Sequence, residues 1–179
     1  MGKFYHAVTG LKNVAVTAAM LLLLSTLAAC SFKPLYGTTE SNQQLEAVLA
    51  GIEIPEIPGR VGQRVRNELI FAFYGGGHPG APQYKLVLAL TESVTSQLVE
   101  RDGDSRGQFY ELTTRFKLYS ISNGKEPMIE GVSHAKAAFR DDESVYSNVR
   151  ARINAEDRAA KTTAEDLKTR LAAFLSANS

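Results

Sequence analysis

The feature that most constrains the fold is a regular alternation of apolar and other residues in two long segments. The apolar positions are Tyr84, Leu86, Leu88 and Leu90 in the first segment and Tyr110, Leu112, Phe116 and Leu118 in the second. Because successive side chains of a strand point to opposite faces, this period of two predicts strands with one buried face. The chain must therefore supply a second layer that covers this face.

Two further strands are predicted beside these. Asn123-Gly124 is the residue pair preferred at the two positive-φ positions of a tight hairpin turn, and residues 128–139 then form the returning strand. A short strand is also predicted within residues 48–57, where Pro55 and the following Pro58 limit its length and favour an edge position.

Two amphipathic helices are predicted to form the covering layer. In the first, apolar residues recur every four positions from Val61 to Phe73, and the glycine-rich segment 75–80 ends it. In the second, apolar residues recur at helical spacing from Val145 to Phe174, with a possible second start near Thr162 left open. The order β-α-β-β-β-α predicts an α+β fold, a single mainly antiparallel four-stranded sheet with both helices packed on one face.

The first 29 residues have the pattern of an export signal. Lys3 and Lys12 precede an apolar segment, Val14 to Leu24, that is shorter than the roughly 20 residues a membrane-spanning helix needs. The chain therefore divides into a signal peptide (1–29), a polar tether (30–44) and a globular domain (45–179). Removing the two lysines changes the formal charge from +1 to −1, which argues against non-specific nucleic-acid binding.

The export segment ends in Leu27-Ala28-Ala29-Cys30, which resembles the lipobox of bacterial lipoproteins. In those proteins the cysteine carries S-diacylglycerol and an N-acyl chain, and Cys30 is the only cysteine here. An ordinary buried thiol is the alternative reading of Cys30. By resemblance to the lipoprotein sorting rule, Ser31 directs the protein to the cell outer membrane, with the lipid anchor in the leaflet that faces the periplasm.

No catalytic or metal site is predicted. Ser133 and His134 are adjacent on a strand, so their side chains point to opposite faces and cannot act as nucleophile and base. His78 lies in the glycine-rich loop, and no zinc-ligand spacing joins either histidine to a further ligand. The sequence therefore predicts a non-enzymatic protein without a cofactor other than covalent lipid.

A basic patch is predicted on the sheet face turned away from the helices. Its members are Lys85, Arg115, Lys117, His134 and Lys136. Three of them, Arg115, Lys117 and Lys136, are the candidate contacts for phosphate or carboxylate groups. The alternative is a polar surface whose charges are balanced by Glu111 and Glu130.

Several motifs resemble those of the LptE-like lipopolysaccharide-assembly lipoproteins. Cys30 is followed by Ser-Phe-Lys-Pro-Leu-Tyr-Gly, which matches every fixed position of the phrase Cys-x-Phe-x-Pro-Leu-Tyr-Gly that opens the mature chain in this family. The other similar segments are residues 52–63, 66–69, 157–160 and 169–172.

This resemblance implies a role and its partners. Such a lipoprotein plugs a large outer-membrane β-barrel translocon of the LptD type, assists assembly of that barrel and binds lipopolysaccharide during its insertion at the cell surface. The alternative left open is a generic outer-membrane lipoprotein that acts as a scaffold for another envelope complex.

Overall fold

The structure, a computed structural model, describes residues 40–75, 77–96, 107–140 and 144–178. Its elements in chain order are α1 (Glu40–Ala50), β1 (Ile52–Glu53), α2 (Arg60–Tyr74), β2 (Tyr84–Ser96), β3 (Gly107–Ser120), β4 (Ile129–Arg140) and α3 (Val145–Ala177). The strands form one sheet in the order β1-β2-β3-β4, in which β1 is parallel to β2 and the other pairs are antiparallel. The predicted α+β class with a mainly antiparallel four-stranded sheet is confirmed. The predicted signal peptide and Cys30 lie outside the described residues.

Helix α1 is the element that the sequence pattern does not predict. It begins at Glu40, within the predicted tether, and it includes Val48, which the sequence pattern places in the first strand. Its amphipathic pattern is weak because few apolar residues interrupt a polar segment, and Leu49 is its one buried residue among those whose burial is described. With α1 extending to Ala50, strand β1 is only two residues long.

The predicted tight turn at Asn123-Gly124 is wrong. Neither residue has positive φ, and the strands stop pairing at Leu118 and Ile129, so a longer connection joins them. The amide of Met128 donates to the carbonyl of Leu118 at 2.8 Å and closes this connection. The register of β3 and β4 is nevertheless the one that a turn centred on Asn123-Gly124 sets, because residues equally far from that centre face each other.

The core lies between the sheet and helices α2 and α3. The buried residues of β3 are Tyr110, Leu112, Thr114, Phe116 and Leu118, which confirms the predicted inward face. Helix α3 is continuous through Thr162, and it presents buried alanines from Ala155 to Ala164 before Leu167 and Leu171. Small side chains allow the helix to approach the sheet closely, and the two leucines add larger apolar side chains to the same core.

An ionic contact joins the two helices of this layer. Glu156 of α3 is buried, and its carboxylate pairs with Arg60 of α2 and, at 3.0 Å, with Arg152 of α3. A buried carboxylate requires such partners because leaving water is costly for a charged group. The pairing therefore fixes α2 against α3 over the sheet.

Candidate ligand-contact face

The side of the sheet opposite the helices is called here the outer face. Strand β3 is central and carries Arg115 and Lys117 on this face, and β4 carries Lys136. All three side chains are exposed, whereas the neighbouring Thr114 and Phe116 are buried. Their predicted orientation is confirmed, while contact of the three residues with a ligand stays a prediction.

The two lysines are paired with glutamates directly across the strands. Lys117 Nζ lies 3.1 Å from Glu130 Oε2, and Lys136 Nζ lies 2.6 Å from Glu111 Oε1. The hydrogen bond and the charge of Glu130 raise the pKa of Lys117, so its ammonium stays charged. Lys136 also lies over the ring of Phe109, 4.3 Å from the centroid, in cation–π geometry. Glu111 and Glu130 therefore balance the charges of Lys136 and Lys117, as the alternative interpretation predicts.

Arg115 differs from both lysines. Its cross-strand neighbours are Ala89 on β2 and Val132 on β4, neither of which has a polar side chain. Among the residues that the structure describes, none forms an ion pair with Arg115. Its planar guanidinium keeps its donors available for a bidentate contact with a phosphate or carboxylate. The three predicted contacts are thus not equivalent, and Arg115 is the strongest candidate.

An open cavity of about 670 Å³ lies at the end of the outer face where β2 begins. It is lined by Glu53, Lys85, Val87, Tyr119, Ser120, Ile121, Gly124 and Lys125. The sequence interpretation placed Lys85 on this face but missed Lys125. The turn centre at Asn123-Gly124 could have predicted the position of Lys125, because the turn brings the chain back toward Tyr119.

The candidate catalytic pair is not assembled. Ser133 is buried and donates a hydrogen bond to Asp166 Oδ2 at 2.6 Å, whereas His134 is exposed and lies 3.2 Å from Thr113 Oγ1. The two side chains occupy opposite faces, as the sequence predicts. His78 is exposed in its loop, and the described part of the chain contains no cluster of side chains that could hold a metal ion.

The glycine-rich segment ends a helix. Gly75 adopts the left-handed conformation with φ 57°, and its amide donates to the carbonyl of Phe71 at the end of α2. This is a common helix C-terminus, and it confirms that the helix ends at the glycine-rich segment. Across the described ranges, no helix has both the length and the apolar character needed to cross a membrane.

Comparison with protein families matches residues 49–171 to the family described as LptE, lipopolysaccharide-assembly. None of the curated proteins shows significant similarity to the chain.

Two solved structures share the fold. A Caulobacter crescentus CB15 protein described as a lipoprotein is 24% identical, with a TM-score of 0.63, over 76% of this chain and 98% of that one. Rare lipoprotein B from Shewanella oneidensis is 7% identical, with a TM-score of 0.50, over 72% of this chain and 98% of that one. At these identities the similarity shows the fold alone.

Proposed function

The chain belongs to the LptE family of lipopolysaccharide-assembly lipoproteins, and from this premise we propose that it is a non-enzymatic subunit of an outer-membrane translocon. In this proposal it is anchored by lipid on Cys30 in the outer membrane, facing the periplasm or the barrel lumen. It plugs a β-barrel of the LptD type, assists assembly of that barrel and binds lipopolysaccharide. The family match carries the proposal, because it covers more than half of the chain.

The chemistry of the described residues supports a binding role. Ser133 and His134 lie on opposite faces, and the buried Ser133 donates its hydrogen bond to the partly exposed Asp166 of α3. The outer face presents cations and glutamates to solvent, and such groups suit electrostatic contact better than covalent chemistry.

Association with the barrel is tested by affinity purification of the mature lipoprotein in mild detergent. We expect a β-barrel subunit to be recovered in about equal amount, because a lumenal plug buries a large surface and dissociates slowly. Recovery of other envelope proteins without a barrel favours the scaffold alternative and rejects the plug.

Arg115 is the proposed contact for the phosphates of lipopolysaccharide. We expect Arg115→Glu to weaken lipopolysaccharide binding by the purified lipoprotein roughly tenfold or more at low salt, because an attractive charge-assisted contact becomes a repulsive one. Equilibrium binding measured at two salt concentrations checks this. Melting temperature should change little, because the Arg115 side chain is exposed and has no ion-pair partner among the described residues.

A matched control is Lys161→Glu, which makes the same type of charge reversal at an exposed lysine of α3, away from the outer face. We therefore expect this variant to bind lipopolysaccharide about as tightly as the wild type. If Arg115→Glu binds as tightly as the wild type at low salt, Arg115 does not contact the phosphates.

A further inference from the structure

The two edges of the sheet differ in how their backbone groups are satisfied. On β4, the guanidinium of Arg158 donates to the carbonyl of Ala138 at 2.6 Å, and that of Arg170 donates to the carbonyl of Val132 at 3.0 Å. Both arginines belong to α3, so this helix protects that edge. At the other edge, β1 pairs with only the first two residues of β2.

Two hydrogen bonds establish which residues of β2 direct their backbone groups toward the free edge. The amide of Tyr84 donates to the carbonyl of Gly51 on the β1 side at 3.2 Å, and the carbonyl of Gln83 accepts from the amide of Ile121 on the β3 side at 2.9 Å. The amide of Gln83, which precedes β2, also donates to the carbonyl of Gly51 at 2.9 Å. Backbone groups of successive strand residues point to opposite sides, so the even-numbered residues of β2 face away from β3. Those beyond the reach of β1 are Leu88, Leu90, Glu92, Val94 and Ser96.

These five residues are called here the free edge. Among the described residues, none makes a backbone hydrogen bond to the free edge from the side opposite β3. Exposed edges are usually blocked by proline, lysine or a bulge, and residues 86–96 contain neither of these residue types and pair with β3 without a bulge. The one charged residue, Glu92, accepts a hydrogen bond from Tyr110 at 2.9 Å and is held against the sheet.

The described residues cover the side chains of the free edge only in part. Leu88 and Leu90 are half-buried and Val94 is 40% exposed, although all three lie on the face that the helices cover elsewhere. An added strand with apolar residues at alternate positions would cover these side chains and satisfy the backbone groups together. Strand β1 shows that this edge accepts a neighbouring strand, and β1 ends at Glu53, close before Pro55.

We propose that the free edge binds an extended segment of the barrel subunit, which adds to the sheet beside β2. This inference rests on the proposed function. In a closed barrel the wall strands are paired on both sides, so the segment must come from a loop or a terminal region of the barrel subunit. The expected segment is neutral or basic opposite Glu92 and apolar opposite the leucines.

The test is Val94→Pro in the full lipoprotein, followed by affinity purification in mild detergent. Proline removes the amide that faces the added strand and leaves the hydrogen bonds between β2 and β3, so we expect roughly tenfold less barrel subunit with a nearly unchanged melting temperature. Ala138→Pro is the matched control, because it removes an outward amide from the protected edge of β4. Ala138→Pro should recover the barrel as the wild type does. Val94→Ala keeps the amide and loses only side-chain contact, so it should recover clearly more barrel than Val94→Pro.

The outcomes separate this inference from the proposed function. If the wild type recovers no barrel, the proposed function is rejected, and this inference with it. If Val94→Pro folds and recovers as much barrel as the wild type, the edge proposal alone is rejected. If the proline variant does not fold, a photoreactive phenylalanine analogue at position 94 tests whether the free edge contacts the barrel subunit. Crosslinking to the barrel subunit supports the proposal, and crosslinking only to a second copy or to residues 30–39 of the same chain overturns it.

Discussion

Replacing Leu167 with alanine should lower the free energy of unfolding by about 2–5 kcal/mol. Leu167 has no exposed surface, and it lies in α3 beyond the alanines that pack closely on the sheet. The substitution removes buried methyl and methylene groups and leaves a cavity that the rigid sheet cannot fill by moving. Alanine is itself a strong helix former, so the loss comes from packing and not from helix propensity.

Thermal unfolding of the purified lipoprotein in mild detergent, followed by circular dichroism, measures this effect. For a domain of this size the expected fall in melting temperature is roughly 10 °C. Phe71→Ala is the control, because Phe71 is the same kind of helical apolar residue but is 69% exposed, and its loss should cost less than about 0.5 kcal/mol. Equal effects of the two variants would contradict the assigned core.

The second large effect is expected at Cys30, the proposed site of lipid attachment. In Cys30→Ala the sulfur that would carry diacylglycerol is absent, so labelling of the protein with radioactive palmitate should fall to background. Each buried CH₂ contributes roughly 0.8 kcal/mol to membrane binding, and two or three acyl chains therefore hold a protein on the membrane almost permanently. Loss of the chains removes this source of attachment completely.

Two further variants make the Cys30 result specific. Ser31→Ala, beside the same cleavage position, should keep the label. When Cys30→Ala is exported by the cleavable signal of a soluble periplasmic protein, it should be recovered in the soluble fraction of cells that lack the barrel subunit. Palmitate label that persists in Cys30→Ala would show that the lipid is attached elsewhere or that Cys30 is an ordinary thiol.

The strands could be predicted from the sequence because alternation depends on the local geometry of the chain. The same alternation placed Arg115 on the outer face without knowledge of its neighbours. The ion pairs Lys117–Glu130 and Glu111–Lys136 could also be predicted from the sequence, because the turn centre at Asn123-Gly124 sets the register that places these residues opposite each other. The detailed geometry of this turn could not be predicted, because Asn-Gly favours a tight turn without requiring one.

Other features depend on contacts between distant segments, which a local pattern does not contain. Helix α1 has few apolar residues, and the burial of Leu49 depends on the packing of α1 against α2 and α3. The absence of an ion-pair partner for Arg115 among the described residues follows from Ala89 and Val132 standing opposite it. The position of Ala89 depends on the long connection between Ser96 and Gly107, whose length alone sets no register.

Helix α3 also sets a length scale for the proposed complex. Its 33 residues correspond to about 50 Å at 1.5 Å per residue, whereas the hydrocarbon core of a bilayer is about 30 Å thick. If α3 lies along the axis of the proposed barrel, about 20 Å of it extends past the hydrocarbon layer. Part of the domain then lies in the aqueous compartment on one side of the membrane, where segments of the barrel subunit outside its wall can reach it.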